Sequence, residues 1–315
     1  MSGATARPAP PVALVGGLCA VGAALGFSLN DMAVKFLSGA YPLHQVVLFR
    51  SMVALAIILS VVIPLSGGYR ILRTTMLGKH LLRGCFIVMA NMTYFIALAA
   101  MPIADATAIF FVSPLVIALF SIVFLGETVG PRRWTAIGAG LVGVIVMIRP
   151  GTEAFSPIAL LPLLAATAYA ALNTMTRHMG VRETAASMAA YTQFTFLGFS
   201  LVFGLIAGRG DFLPVDAGPS VDFLLRGWIW PQMVDVPFFV LAGIGTAMGG
   251  FLIAQAYRLC ESALVAPLEY VAMPMAVFWG VAIFGEWPDA VSWTGISLIL
   301  GAGIYLIWRE TRKSA

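Results

Sequence analysis

Apolar side chains in this chain come in long unbroken runs, interrupted by short breaks at proline, glycine and small charge clusters, and not in a sustained two-residue alternation. A run of 18 or more mainly apolar residues is long enough to cross a bilayer as a helix, which needs about 20 residues. Ten such runs are predicted, near residues 12 to 37, 43 to 66, 80 to 101, 103 to 125, 131 to 149, 157 to 177, 185 to 208, 236 to 259, 263 to 285 and 290 to 308. The lack of alternation excludes an outer-membrane barrel, whose strands carry apolar and polar residues in turn. Most breaks are so short that consecutive helices must be antiparallel neighbours, and the third and fourth are divided only by the Met101-Pro102 corner. One connection is long, roughly residues 209 to 235; it holds Asp211, Asp216, Asp222 and several prolines and is expected on the surface, with Trp228 and Trp230 at the membrane interface.

Composition agrees. The chain has 315 residues, of which 60% are hydrophobic and only 10% charged, and a mean hydropathy of +0.96. A soluble domain carries about 25% charge, so these side chains could not cover a globule in water, and a cytosolic enzyme or a nucleic-acid binder is excluded. The net charge of +4 comes from bases that sit beside the apolar runs. The first run is too long for the core of a signal peptide and reads as a retained helix. The cysteines, Cys19, Cys85 and Cys260, are far apart and form neither a metal-ligand spacing nor a disulfide framework.

Cytoplasmic loops retain Lys and Arg. With the N-terminus inside, 13 of the 18 bases, Arg83 among them, fall on cytoplasmic segments; Arg149, Arg209 and Arg226 fall on the other side, and Lys35 and Arg50 lie within spans. Both termini are therefore expected in the cytoplasm, which requires an even number of spans.

The two halves resemble each other. Leu29-Asn30-Asp31-Met32 matches Leu172-Asn173-Thr174-Met175 at a shift of 143. Gly126-Glu127 matches Gly285-Glu286 and Trp134-Thr135 matches Trp293-Thr294 at a shift of 159, the difference lying in the long connection. Five spans is an odd number, so the second copy enters the bilayer from the opposite side and the repeat is inverted. The predicted architecture is an all-α integral membrane protein with ten transmembrane helices as two inverted five-helix repeats, residues 12–149 and 157–308, around a central cavity. Such a pair can exchange outward-open and inward-open states of similar energy, the geometry of alternating access.

Pro114 followed by an apolar stretch ending in Gly126-Glu127, repeated as Pro274 ending in Gly285-Glu286, resembles the paired EamA domains of the drug/metabolite transporter superfamily. Lys35, the Leu48-Phe49-Arg50-Ser51 stretch and the Ala266-Pro267-Leu268-Glu269-Tyr270 stretch are similar to that family as well. The resemblance implies five plus five helices, secondary transport of small metabolites, and a cavity lined by the first, third, fourth, sixth, eighth and ninth helices. The family includes exporters of amino acids, importers of vitamins such as riboflavin, and nucleotide-sugar antiporters, so membership leaves the cargo open.

Ionisable groups within spans are the strongest functional pointers, because each costs about 2.5 to 3.5 kcal/mol at a helix centre. Asp31 and Lys35 stand four apart on one helix face: either they neutralise each other while Lys35 snorkels outward, or Asn30 and Asp31 face the cavity. Arg50 reaches the same half of the membrane, where it can pair with Asp31, anchor two helices, or dock a substrate carboxylate. Glu269 is either a proton-coupling group, as is Asp31, or a water-exposed carboxylate paired to Arg258. Candidate substrate-binding residues are Asn30, Asp31, Arg50, Asn91, Tyr94, Tyr169, Asn173, Gln255, Tyr257 and Tyr270, with Thr93, Tyr191 and Gln193 as further polar positions. Aromatic residues outnumber charges among them, which favours a ligand with a flat or apolar part and a polar head. His44, His80 and His178 are expected at membrane edges. Glycines in the fifth and tenth spans either pack the fold or form a dimer surface, leaving monomer and homodimer open.

The sequence contains no P-loop, GxSxG or HExxH motif. No catalytic residues, cofactor or metal are expected, and gradients must drive transport. The leading expectation is an amino-acid or metabolite exporter of a bacterial inner membrane; uptake of a vitamin or an organic anion is the alternative. An integral-membrane enzyme or a passive channel are readings of other classes.

Overall fold

A computed structural model describes residues 12–125, 131–150, 152, 155–260 and 265–313. Gly126 and Glu127 lie outside the described residues. Among those described there is no strand. The helices are α1 (Val12–Ser38), α2 (Leu43–Ile57), α3 (Leu77–Leu98), α4 (Ile103–Phe110), α5 (Ser113–Leu125), α6 (Pro131–Ile148), α7 (Leu160–Met179), α8 (Ala185–Ala207), α9 (Pro219–Leu225), α10 (Val236–Leu259), α11 (Ala272–Phe284) and α12 (Ala290–Lys313). Six stretches are long and apolar enough to span a membrane: Leu14–Ser38, Leu43–Leu65, Leu77–Leu98, Pro157–Met179, Ala185–Ala207 and Val236–Leu259. Four shorter apolar stretches, Ile103–Ile117, Gly138–Ile148, Leu268–Phe284 and Ala290–Ala302, occupy the remaining expected spans.

Proline decides where these helices deviate. α2 runs through a π turn, Ile58–Val62, immediately before Pro64, whose missing N–H removes a rung of the ladder. α4 and α5 are one apolar run broken at Phe111 and Val112, just ahead of Pro114. α11 is preceded by a 3-10 segment, Ala266–Val271, that contains Pro267. The two interruptions correspond under the 159 shift, which equates Phe110 with Glu269 and Phe111 with Tyr270. They also touch: the Phe111 and Tyr270 rings lie 5.3 Å apart, and the Tyr270 hydroxyl donates to the Phe111 carbonyl at 3.2 Å.

Helices of the first half pack on helices of the second. α1 lies against α10, α3 against α7, α2 against both α10 and α8, α3 against α8, α5 against α7, and α6 against α12. Exchanging α1 with α7, α2 with α8, α3 with α10, α5 with α11 and its 3-10 segment, and α6 with α12 reproduces this pattern, since α1 also packs on α11. The α1–α10 crossing is backbone to backbone: a Cβ on Gly26 would meet the Gly245 carbonyl at 2.9 Å, and one on Gly245 would meet the Gly26 carbonyl at 2.4 Å. α6 and α12 approach through Gly143 and Gly295 in the same way, so these glycines pack the fold, whereas Gly138 and Gly301 have open space around them.

The long connection is a structured cover at one end of the bundle. It carries α9, whose Ser220 hydroxyl donates to the Ile96 carbonyl at 2.7 Å. Gln45 is bound to the Ile229 backbone through both its amide nitrogen and its oxygen, and the Tyr41 hydroxyl donates to Asp235 at 2.6 Å. Trp230 is 90% exposed, while the Trp228 ring packs against buried His44. At this same end Arg149, just past α6 in the left-handed region at φ 51, holds Asp289 before α12 at 2.5 Å. Asp289 also accepts from the Ser292 N–H at 2.7 Å, and these bonds hold its carboxyl down at about 2.

His44 and His80 lie in the first turns of α2 and α3 and are nonetheless buried, 1% and 2% exposed; His80 stacks on Tyr191 at 4.2 Å and lies 3.5 Å from Glu183. Arg83, counted with the cytoplasmic bases at the start of the third span, is 4% exposed and sits inside α3.

Candidate functional site

At the centre of the bundle α1, α2, α3, α4, α7, α8, α10 and the 3-10 segment enclose a cavity of about 110 Å³, room for several waters. Arg50 from α2 is 1% exposed and crosses one end of it. Its Nη1 donates to Asn30 Oδ1 at 2.7 Å and to Thr246 Oγ1 at 3.3 Å, and its Nη2 to Asn91 Oδ1 at 2.8 Å. Thr246 in turn donates to Asn30 Oδ1 at 2.9 Å. Phe95 and Phe196 lie 4.9 and 5.0 Å from the guanidinium carbon, both within the reach of a cation–π contact. The Nε has no hydrogen-bond partner. Four elements of both halves thus converge on one cation whose direct contacts among the described residues are neutral oxygens and ring faces, with the Asp31 carboxyl near enough to act on it through space.

Asp31 lies beside it and accepts from the Asn30 side-chain amide at 2.9 Å. Of the two readings of Asp31 and Lys35, the mutual pair is not formed, and Asn30 and Asp31 line the cavity; nor does Asp31 close a salt bridge with Arg50. Lys35, one turn further along α1, instead bonds Glu286 at 2.9 Å and the Met101 carbonyl at 2.8 Å, while Glu286 accepts from the Ile103 N–H at 3.1 Å. The reason is geometric: the carbonyls ending α3 and the acid following α11 lie beside the Lys35 ammonium, so it bonds there. These bonds tie α1, the α3–α4 corner and the end of α11 together just beyond the cavity.

The opposite wall holds Glu269. It is 7% exposed and accepts from the hydroxyls of Tyr169 at 2.6 Å and Tyr257 at 2.5 Å. The water-exposed reading is therefore corrected, and its partners are two tyrosines and not Arg258. Between Asp31 and Glu269 runs an aromatic wall: Tyr94, hydrogen-bonded to Thr107 at 2.9 Å, then Phe110, 5.2 Å from both the Tyr94 and Tyr169 rings.

Of the residues singled out from sequence, Asn30, Asp31, Arg50, Asn91, Tyr94, Tyr169, Gln193 and Glu269 line this cavity together. Tyr257 stands behind Glu269. Asn173 donates to the Tyr169 carbonyl within α7 at 3.1 Å, and Tyr270 points to Phe111; neither they nor Gln255 lie among the lining residues. Thr93 and Tyr191 border a separate apolar groove between α3 and α8. The lining residues that sequence reasoning missed are the phenylalanines Phe27, Phe95, Phe110, Phe111 and Phe196, the threonines Thr107, Thr192 and Thr246, and Arg83.

Residues 14–149 match the EamA-like transporter family. Over that stretch the chain resembles EamA-type transporters, and its curated relatives are named as transporters. Curated relatives agree along nearly its whole length. The riboflavin transporter of Rhizobium johnstonii is 28% identical over 306 residues, 96% of this chain and 94% of that one. The S-adenosylmethionine uptake transporter of Rickettsia prowazekii is 25% identical over 91% of this chain and 90% of its own. The pseudopaline exporter of Pseudomonas aeruginosa is 26% identical over 92% and 95%. A solved crystal structure shares the fold with a TM-score of 0.66 at 19% identity, covering 96% of this chain and 98% of that chain.

Proposed function

We propose that this transporter is a gradient-driven carrier that moves a small, ring-bearing metabolite with a polar or charged head by alternating access, in the uptake direction, across a bacterial inner membrane. Its ten spans form two inverted five-helix units, residues 12–149 and 157–308, with both termini in the cytoplasm. The helix pairing that survives exchange of the halves supports that arrangement. The observation that carries the reading is the buried Arg50, held by α1, α3 and α10 between two phenylalanine faces in a cavity that also holds Asp31 and the buried Glu269. Buried ionisable groups in a membrane are costly and are retained for cargo or protons. A flat ring fits among Tyr94, Phe110 and Tyr169, and the head fits on Arg50, Asn30, Asn91 and Asp31.

The cavity is lined largely by buried side chains inside the bundle, so a metabolite enters where the helices part. The broken α4–α5 helix and the 3-10 segment carrying Glu269 provide the bends at which they do so. In this reading the end closed by Lys35 and Glu286 faces outward, and Asp31 or Glu269 carries the coupling proton. Amino-acid export stood first on sequence alone; the aromatic wall and relatives named for riboflavin and S-adenosylmethionine favour the uptake alternative. A passive channel would need neither inverted halves nor a closed cavity.

Counterflow in proteoliposomes tests this. Vesicles preloaded with riboflavin or with S-adenosylmethionine are expected to accumulate the same labelled compound transiently and saturably, faster with an inward proton gradient. Glu269→Gln, or Asp31→Asn if the proton rides there, removes the gradient effect while exchange persists. Linear, non-saturating flux would mean a pore.

A further inference from the structure

The cavity contains a second buried cation. Arg83 of α3 is 4% exposed and lines the same cavity as Arg50. Its Nε donates to Thr176 Oγ1 at 2.8 Å, and its Nη1 to the Met188 carbonyl at 3.1 Å and Thr192 Oγ1 at 2.7 Å. All three acceptors are neutral, and they come from α7 and α8. Among the described residues no carboxylate lies within 4.0 Å of Arg83. Glu183, at the same end of the bundle, is engaged by Thr74, Ser187 and His80. The neutral oxygens use the Nε and both Nη1 hydrogens of the planar fork, which fixes its orientation, and Nη2 donates to no described residue.

A cation taken out of water without an acid partner is strongly destabilising, and three neutral hydrogen bonds offset only part of that. An anchor between α3, α7 and α8 could be made by neutral side chains at far lower cost. We propose that Arg83 is an anion subsite of the cavity, so that the cargo carries a carboxylate or phosphate, which docks on Nη2 while its ring lies along the aromatic wall; of the two counterflow compounds only S-adenosylmethionine, with its carboxylate, meets this. The head contacted at Arg50 is then a second polar group of the same molecule. The proposal rests on reading the cavity as the substrate site.

Benzoate, phenyl phosphate and neutral benzamide separate charge from ring. Their binding to the purified full-length protein is followed by thermal stabilisation in a neutral detergent. The native protein is expected to prefer the anions by roughly tenfold or more, the ratio corresponding to one charge-assisted hydrogen bond. Arg83→Gln erases that preference and leaves benzamide binding unchanged; Arg83→Lys, which keeps the charge, retains it. Equal binding of anion and amide by the native protein, loss of the preference in both variants, or its survival in Arg83→Gln each overturns the subsite. Stabilisation by phosphatidylglycerol that depends on Arg83, without stabilisation by the soluble anions, would assign the guanidinium to a lipid headgroup and overturn a cargo role. Because binding needs no turnover, failed counterflow with intact Arg83-dependent binding would refute transport alone.

Discussion

Arg50 is surrounded but not neutralised: its hydrogen-bond acceptors are Asn30, Asn91 and Thr246, and its faces are covered by Phe95 and Phe196. The planar fork is what reaches α1, α3 and α10 at once, and an ammonium cannot do the same. Arg50→Lys is therefore expected to leave a folded protein in the membrane with transport lowered at least roughly tenfold, since it loses a charge-assisted hydrogen bond worth about 1.5 to 3 kcal/mol; the measurement is initial counterflow rate per folded protein. At this scale the sequence was readable where cost marks a residue. Asn30, Asp31, Arg50 and Glu269 stand out as polar groups in apolar runs, and the structure brings them to one cavity. Arg83 was hidden because it stands seven residues into α3, close enough to the end of the run to pass for a loop base. The phenylalanines were hidden because a ring facing a cavity and a ring facing lipid look alike in a sequence of which 60% is hydrophobic. Partner choice was misread for Lys35, because helical spacing shows only neighbours on the same helix and Glu286 lies far along the chain.

Elements are placed by close contact as much as by length. The α1–α10 crossing sets Asn30 beside Thr246, and it depends on Gly26 and Gly245 having no side chains. Gly245→Val is expected to destabilise by about 1 to 3 kcal/mol, read as a lower unfolding temperature in detergent together with lost transport; Gly138→Ala, with nothing within 4 Å of its Cβ position, serves as the silent comparison. Just before α12, Asp289 is held near 2 by Arg149 and the Ser292 N–H, below the ordinary carboxylate value of about 3.9. A depressed folded-state value gives stability that is full above about pH 4 and lost as pH falls toward 2. The native protein should therefore melt above Asp289→Asn at pH 6, and the two should converge near pH 2; a gap unchanged by pH would contradict this role. The apolar runs announced these helices because hydrocarbon permits little else. The interruption between α4 and α5 was not legible, since proline in a membrane helix is tolerated without breaking it. α9 was not legible either, in a connection whose prolines and aspartates read as irregular.

In the proposed architecture two similar halves face opposite ways around a charged cavity, and the Lys35 end of that cavity is tied by Glu286. The equivalence of Phe111 and Tyr270, in contact at the seam, is what a pseudo-twofold axis through the cavity would produce. Alternating access requires the opposite sense of the two halves. Its most direct test is the sidedness of two single cysteines, Thr152→Cys between the halves and Lys313→Cys at the end of α12, introduced after Cys19, Cys85 and Cys260 are replaced by alanine. With a membrane-impermeant maleimide applied to intact cells, Thr152→Cys is expected to be labelled and Lys313→Cys to be protected until the membrane is permeabilised. Labelling of both from the same side would contradict the inverted repeat and the carrier mechanism built on it.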